Sequence, residues 1–263
     1  MADVAALGRD ALAEHDALAA ILSGLPEKDW DRPTPAVGWT VRDQISHLAY
    51  FDSVTRLSMV DPDAFRAARA EAMADIEKFV AATLSYGAGL SGAELLDRFT
   101  EERRGLVEAA VAMPEGVRIP WYGPDMSVPS KITARIMETW AHGQDVADAL
   151  GVTRPPTDRI RHVCDIGIRA RPFSYRSRGL EVPDIPVRVE LIAPDGSLWE
   201  WGPPEAADRI TGPALDFALV VTQRRLLADT ALEAQGEDAR TWIAFAQAFA
   251  GNPTATDPAR RQR

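Results

Sequence analysis

Lys131 to Leu150 reads KITARIMETWAHGQDVADAL. A helix turns by about 100° per residue, so Glu138, His142 and Asp145 share one face of this stretch. Ile132, Ile136, Trp140, Ala147 and Leu150 form a separate apolar stripe, which predicts packing against neighbouring helices. An imidazole and a carboxylate at i and i+4 can grip one metal ion, but a site needs a third ligand and an open position. Arg135 also points toward this face. A second reading therefore stands beside the first: a solvated surface carrying an Arg135/Glu138 pair.

Upstream, Val4 to about Leu25 places Leu7, Leu12, Leu18, Ile21 and Leu22 at roughly helical spacing, and Gly24 with Pro26 ends that helix. His15 lies between Glu14 and Asp16 and reads as a solvated helix residue. Glu27 to Trp39 is a proline-containing loop that Trp30 and Trp39 pin to the core. Thr40 predicts an N-cap, with Asp43 favouring the start of a helix from Val41 to about Val60. Val41, Ile45 and Leu48 make its apolar stripe, and His47 sits on the flank beside Phe51 and Val54. A histidine there is more often a packed core residue than a ligand. It is nevertheless the best third ligand in the chain, because His15 lies on an acidic helix and His162 beside Arg161.

Asp61 to Ser85 reads as one helix, Tyr86 to Gly92 as a break and Ala93 to Met113 as helix again. Pro114 to Pro129, with Trp121 and Tyr122, reads as a long ordered loop and a candidate site wall. Gly151 predicts a C-cap for the central helix. Residues 1–152 thus predict a mainly α unit, a bundle of four long helices and one shorter one, in which metal sites form between helices.

Arg154, Pro155 and Pro156 read as a linker, and residues 153–263 as a smaller α/β domain. Thr157 to Ser177 is expected to be one helix with Ile160, Val163, Ile166 and Ile168 inward. The period then changes to two: Val187, Val189 and Leu191 alternate with Arg188 and Glu190, a strand. Pro194-Asp195-Gly196 turns it into a second strand, Ser197 to Trp201. Ile210 begins a short strand, and Gly212-Pro213 opens a helix through Gln223, closed by Arg224 and Arg225 at the favourable end of its dipole. Asp238 to Phe249 is the last helix, and the polar tail from Gly251 is expected to fray.

The composition sets limits. The 263 residues carry a formal charge of −10, which disfavours nonspecific nucleic-acid binding. No apolar run approaches the ~20 residues of a membrane span, and the charged N-terminus lacks a signal-peptide core. The lone cysteine, Cys164, excludes an intramolecular disulfide and points to a reducing cytoplasm. Its apolar setting, VCDIGI, reads as a buried, inert thiol. No phosphate loop, dinucleotide fingerprint, CxxC, HExxH or G-x-S-x-G occurs.

Three stretches together resemble the mycothiol-dependent maleylpyruvate isomerase family of the DinB-like superfamily. They are VGWTVRDQISHLAYFD (Val37 to Asp52), METWAHGQDVADALG (Met137 to Gly151) and TGPALDFALVVTQRR (Thr211 to Arg225). The W-T-V-x-D-x-x-x-H and E-x-x-x-H-x-x-D patterns occur in the family's order, and the likeness spans most of the chain. It implies a DinB-like bundle carrying a small α/β domain. It also implies a divalent metal, usually zinc, on His47, Glu138 and His142. Asp145 matches the acidic residue after the last ligand and would orient an imidazole. Arg224 matches an arginine linked to activity, with Arg225 beside it as a second cation toward the bound cofactor. The TQRR stretch departs from the Trp-Gly-Arg of many members, and the chain looks more like an uncharacterised actinobacterial branch than like the isomerase itself.

The resemblance implies that mycothiol, or a related low-molecular-weight thiol, is the nucleophile, deprotonated beside the cation. Addition to an activated double bond, rotation and elimination would isomerise a small substrate that can carry a carboxylate. Stopping after addition or displacement would give S-transfer. Two alternatives stand beside this: a zinc hydrolase that activates water, and a non-enzymatic module that binds a metal, small ligand or partner. The bundle's outer faces could also pair in a homodimer.

Overall fold

A computed structural model describes residues 3–250, so the expected frayed tail from Gly251 lies outside the described residues. The chain divides into two compact units, Met1–Thr153 and Arg154–Arg263. It is mainly helical with a small sheet.

The first unit is built on four long helices: α1 (Val4–Leu22), α3 (Val41–Val60), α6 (Gly92–Ala112) and α7 (Val128–Leu150). Their ends follow from their caps. Thr40 and Asp43 form a capping box at the start of α3, as do Ser91 and Glu94 at α6. Ser127 caps α7, with a proline in its first turn, and Gly151 ends it in the left-handed conformation at φ 68°. A short helix the sequence did not announce, α2 (Glu27–Trp30), interrupts the first loop and buries Trp30. A Cβ on Gly92 would stand 2.1 Å from the Trp30 indole nitrogen, so only glycine admits this close approach.

The span from Asp61 to Ser85 is two helices, α4 (Pro62–Ala74) and α5 (Ile76–Ser85). Asp75 causes the break: its backbone is extended and its carboxylate accepts from the Lys78 amide at 2.9 Å, starting a new helix. The expected loop before α7 contains a small antiparallel hairpin, β1 (Arg118–Ile119) and β2 (Met126–Ser127).

Leu18, Leu22, Ile45, Leu48, Leu95, Phe99 and Val146 form one apolar core in the bundle. Ala11, Leu106, Ala110, Ile132 and Ile136 belong to a second. Between these clusters lies a charged layer. Asp52 accepts from Arg103 Nε at 2.7 Å and from Arg135 Nε at 2.9 Å. Arg103 donates further to Thr139 Oγ1 at 2.6 Å and to the Ala11 carbonyl at 3.4 Å; Arg135 reaches the Leu48 carbonyl at 3.2 Å. All four long helices thus contribute. The reading of Arg135 as part of a solvated pair is overturned, since it is 3% exposed and bound to Asp52.

His15 is also buried rather than solvated. Its Nε2 lies 3.0 Å from Thr100 Oγ1 and its ring 4.4 Å from Phe99. Thr100 spends its own proton on the Leu96 carbonyl, so it accepts from the imidazole. Burial first, and then the Arg103 charge, push the His15 pKa down to about 4. Its unfolded value near 6.5 is higher, so the unfolded chain takes up the proton first. The His15 contribution to stability should therefore be full above pH 6.5 and fall by about 3 kcal/mol toward pH 4. Urea unfolding across this range should show that limb in the native chain and lose it in His15→Gln.

The second unit carries a four-stranded sheet in the order β4-β3-β5-β6. Strands β3 (Val187–Ile192) and β4 (Leu198–Trp201) form the expected hairpin, closed where Asp195 accepts from the Ser197 amide. Strand β5 (Asp208–Pro213) runs parallel to β3, and β6 (Glu233–Gln235), absent from the sequence reading, adds antiparallel to β5. The expected single helix over Thr157 to Ser177 is two: α8 (Ile160–Arg169) and α9 (Arg171–Arg176), with Pro172 opening the second. Ile160 and Val163 are buried, whereas Ile166 and Ile168 are only partly so. Helix α10 (Ala214–Val221) stops short of Gln223, which takes a left-handed φ of 61°. The last helix, α11, spans Glu237–Phe245. No described helix is long and apolar enough to cross a membrane.

Candidate metal centre

Helices α3 and α7 bring His47 to Glu138 and His142. One ligand atom from each lies within 4.8 Å of the others, a spacing a single cation can bridge. Glu138 and His142 sit one turn apart, as their spacing predicts, and Glu138 Oε2 is 3.1 Å from His142 Nε2. The two side chains are 24% and 12% exposed, so the face is open to a small ligand.

The orientation of His142 is set by a residue that the sequence did not single out. Thr34 Oγ1 donates to the Trp39 carbonyl at 2.9 Å, which leaves it to accept from Gln44 Nε2 at 2.8 Å. The Gln44 amide is thereby fixed, and its Oε1 lies 2.5 Å from His142 Nδ1. Nδ1 must carry a hydrogen to make that bond. In a neutral imidazole the lone pair then resides on Nε2, directed at the Glu138 carboxylate. Two acceptors at 3.1 Å need a shared cation or proton between them. Gln44 precedes His47 by three residues on α3, so the orienting amide and the third imidazole share a face.

The electrostatics favour an ionised carboxylate. Burial alone would raise the Glu138 pKa, but a protonated His142 ring, by hydrogen bond and charge, with Arg135 and His47, outweighs it and holds the group at about 2. Asp145 is buried and its carboxylate stands 4.0 Å from His142 Nδ1, farther than Gln44. Aromatic rings enclose the imidazoles: Trp39 stacks on His142 at 5.8 Å, and Phe51 lies 4.6 Å from the His47 ring.

Arg224 and Arg225 lie in the second unit, just past α10, both partly exposed. Arg224 donates to the Thr222 carbonyl at 2.7 Å and Arg225 to the Arg224 carbonyl at 2.8 Å, so they serve carbonyls beyond the helix end. Cys164 is buried, and burial pushes its thiol far above the usual range, as the sequence setting predicted.

The profile of the mycothiol maleylpyruvate isomerase N-terminal domain matches residues 11–147, just over half of the chain. The chain belongs to this family. Two uncharacterised proteins of Mycobacterium tuberculosis, from strains CDC 1551 and H37Rv, are each 45% identical over 253 residues, 96% of this chain and 98% of theirs. Crystal structures of the mycothiol-dependent maleylpyruvate isomerase and of its histidine-to-alanine mutant share the fold. Their TM-scores are 0.56 and 0.57 at 15% identity, over 89% of this chain and 93% of theirs. Membership of the mycothiol-dependent maleylpyruvate isomerase family thus rests on the family profile, and the solved relatives extend the likeness in fold.

Proposed function

We propose that this member of the family is a metal-dependent isomerase or S-transferase that uses mycothiol or a similar low-molecular-weight thiol. A divalent cation, zinc by the donor set of two imidazoles and one carboxylate, would be held by His47, Glu138 and His142. The observation that carries this reading is the convergence of His47, Glu138 and His142, one ligand atom from each within 4.8 Å of the others, with Gln44 fixing the His142 ring. The bound cation would supply a lowered pKa for a thiol or water at neutral pH.

The chain's own groups do the rest. Gln44 holds the His142 ring in one tautomer, as orienting partners of metal-ligating histidines do. Asp145 adds negative charge beside the same ring. Trp39 and Phe51 shield the imidazoles from bulk water, which strengthens charge interactions there. The one cysteine is buried, so a thiol nucleophile would come from outside the chain, in agreement with a thiol cosubstrate. Arg224 is assigned to a substrate carboxylate or developing enolate, and Arg225 to the thiol cofactor. We place the protein in the cytoplasm, where free thiols stay reduced.

Turnover assays on zinc-loaded protein with and without mycothiol test this function. Strict dependence on the thiol is expected, and equal turnover without it would assign a hydrolase. Arg224→Ala should keep full metal content and lose about 10-fold or more in kcat/KM for carboxylate-bearing substrates. Loss of the metal would instead make Arg224 structural.

A further inference from the structure

Next to the histidine–glutamate cluster the first unit gathers aromatic rings from four separate segments. Phe51 of α3, one turn beyond His47, meets Trp121 and Tyr122 of the β1–β2 connection, each at 6.3 Å, and Phe79 of α5 at 6.1 Å. Tyr122 and Phe79 are 5.0 Å apart, and Tyr50 packs edge-on against both Phe51 and Phe79. Phe65 of α4 is 1% exposed and stacks on Trp121 at 5.6 Å, fixing that indole from behind.

These rings differ from the two aliphatic cores in one respect that matters. Leu48, Ile132 and their neighbours are sealed, whereas Tyr50, Phe51, Phe79, Trp121 and Tyr122 are each only partly buried. Folding gains little from leaving such large apolar faces open, and a set of them contiguous with a polar cluster is the usual make-up of a ligand wall. The cations on this side are already engaged. Arg135 serves Asp52 and the Leu48 carbonyl, Arg69 the Trp121 carbonyl, and the Lys131 amine lies 2.9 Å above the Trp121 ring. Burial pushes the Lys131 pKa down to about 6, so that amine carries little charge at neutral pH. The wall therefore presents the edge of Trp121, whose faces meet Phe65 and Lys131, together with the rings of Phe51, Phe79 and Tyr122, rather than a receptor for a small dianion.

We infer that the substrate is a planar aromatic or aryl-conjugated electrophile, its ring seated among Phe51, Phe79, Trp121 and Tyr122 with its reactive end toward His47. This rests on the proposed thiol-dependent reaction for its chemistry, while ring binding needs neither metal nor thiol. The tilted and edge-on packing among these four rings suits one further ring of the same kind.

The test compares 4-phenyl-3-buten-2-one with 3-penten-2-one, two enones that differ in the aryl ring. Quenching of tryptophan fluorescence and calorimetry would read their binding to metal-free and zinc-loaded protein without thiol. The aryl enone should bind at least about 10-fold more tightly, the effect of burying one ring among others. In Trp121→Ala, and in the milder Tyr122→Leu, that preference should fall below about 3-fold with zinc content unchanged. Equal affinities, no binding of the aryl enone, or a preference intact in both variants would overturn the inference. Mycothiol added afterwards separates the two ideas: a persistent ring preference with no conversion would sink the thiol reaction and leave the aromatic site standing.

Discussion

His142→Ala should weaken divalent-metal binding by well over 100-fold while far-ultraviolet circular dichroism shows helix content unchanged. The side chain lies on a partly exposed face, so its loss opens no large cavity in either apolar core. What it removes is one of three donors, and with two left the cation must rely on water. His47→Ala should behave alike, since it severs the only contribution of α3 to the cluster among the described residues. Gln44→Leu should show a graded loss of about 10–100-fold, the usual cost when a partner that orients a ligand is removed. Equilibrium dialysis against zinc with a competing chelator would rank all three. A Gln44→Leu loss as deep as that of His142→Ala would mean that Gln44 holds the fold rather than the ring.

The second large effect lies deeper. Asp52→Asn should destabilise the bundle by about 3–5 kcal/mol. The carboxylate sits between the Arg103 and Arg135 guanidiniums, and Asp52 and Arg103 are fully buried. Asparagine keeps the shape and removes the charge, leaving two cations facing each other where water cannot screen them. Denaturant titration should show an earlier midpoint, with a spectroscopic probe confined to the first unit so that its transition is read alone. A shift below about 1 kcal/mol would mean that the guanidiniums find other partners.

The architecture was legible because caps and stripes agree. Thr40 with Asp43, the apolar spacing of α7 and Gly151 each marked a boundary that the structure keeps. The cluster was legible for a related reason, as i and i+4 spacing on α7 can be read without coordinates. The two misread residues, His15 and Arg135, share one cause with the buried pair Asp52 and Arg103, on which the sequence reading was silent. His15 stands between Ala11 and Leu18, Arg103 between Phe99 and Leu106, and Asp52 follows Ile45 and Leu48 on one face. Each occupies a core position of its helix, and for His15 and Arg135 position overruled the polarity of the residue type. For His15 the acidic neighbours in sequence pointed the wrong way. Breaks at Asp75 and Ala170 were hidden because one polar cap, or one proline, restarts a helix without a visible loop. Strand β6 has three residues, too few to show alternation.

X-ray absorption at the zinc edge of zinc-loaded protein, before and after mycothiol is added, tests the central claim most directly. Before addition, two imidazoles and a carboxylate should give a shell of nitrogen and oxygen only, with the multiple-scattering pattern of histidine. After addition one sulfur should join that shell. A sulfur ligand in the thiol-free protein, or a hydrated ion without imidazole scattering, would contradict the account.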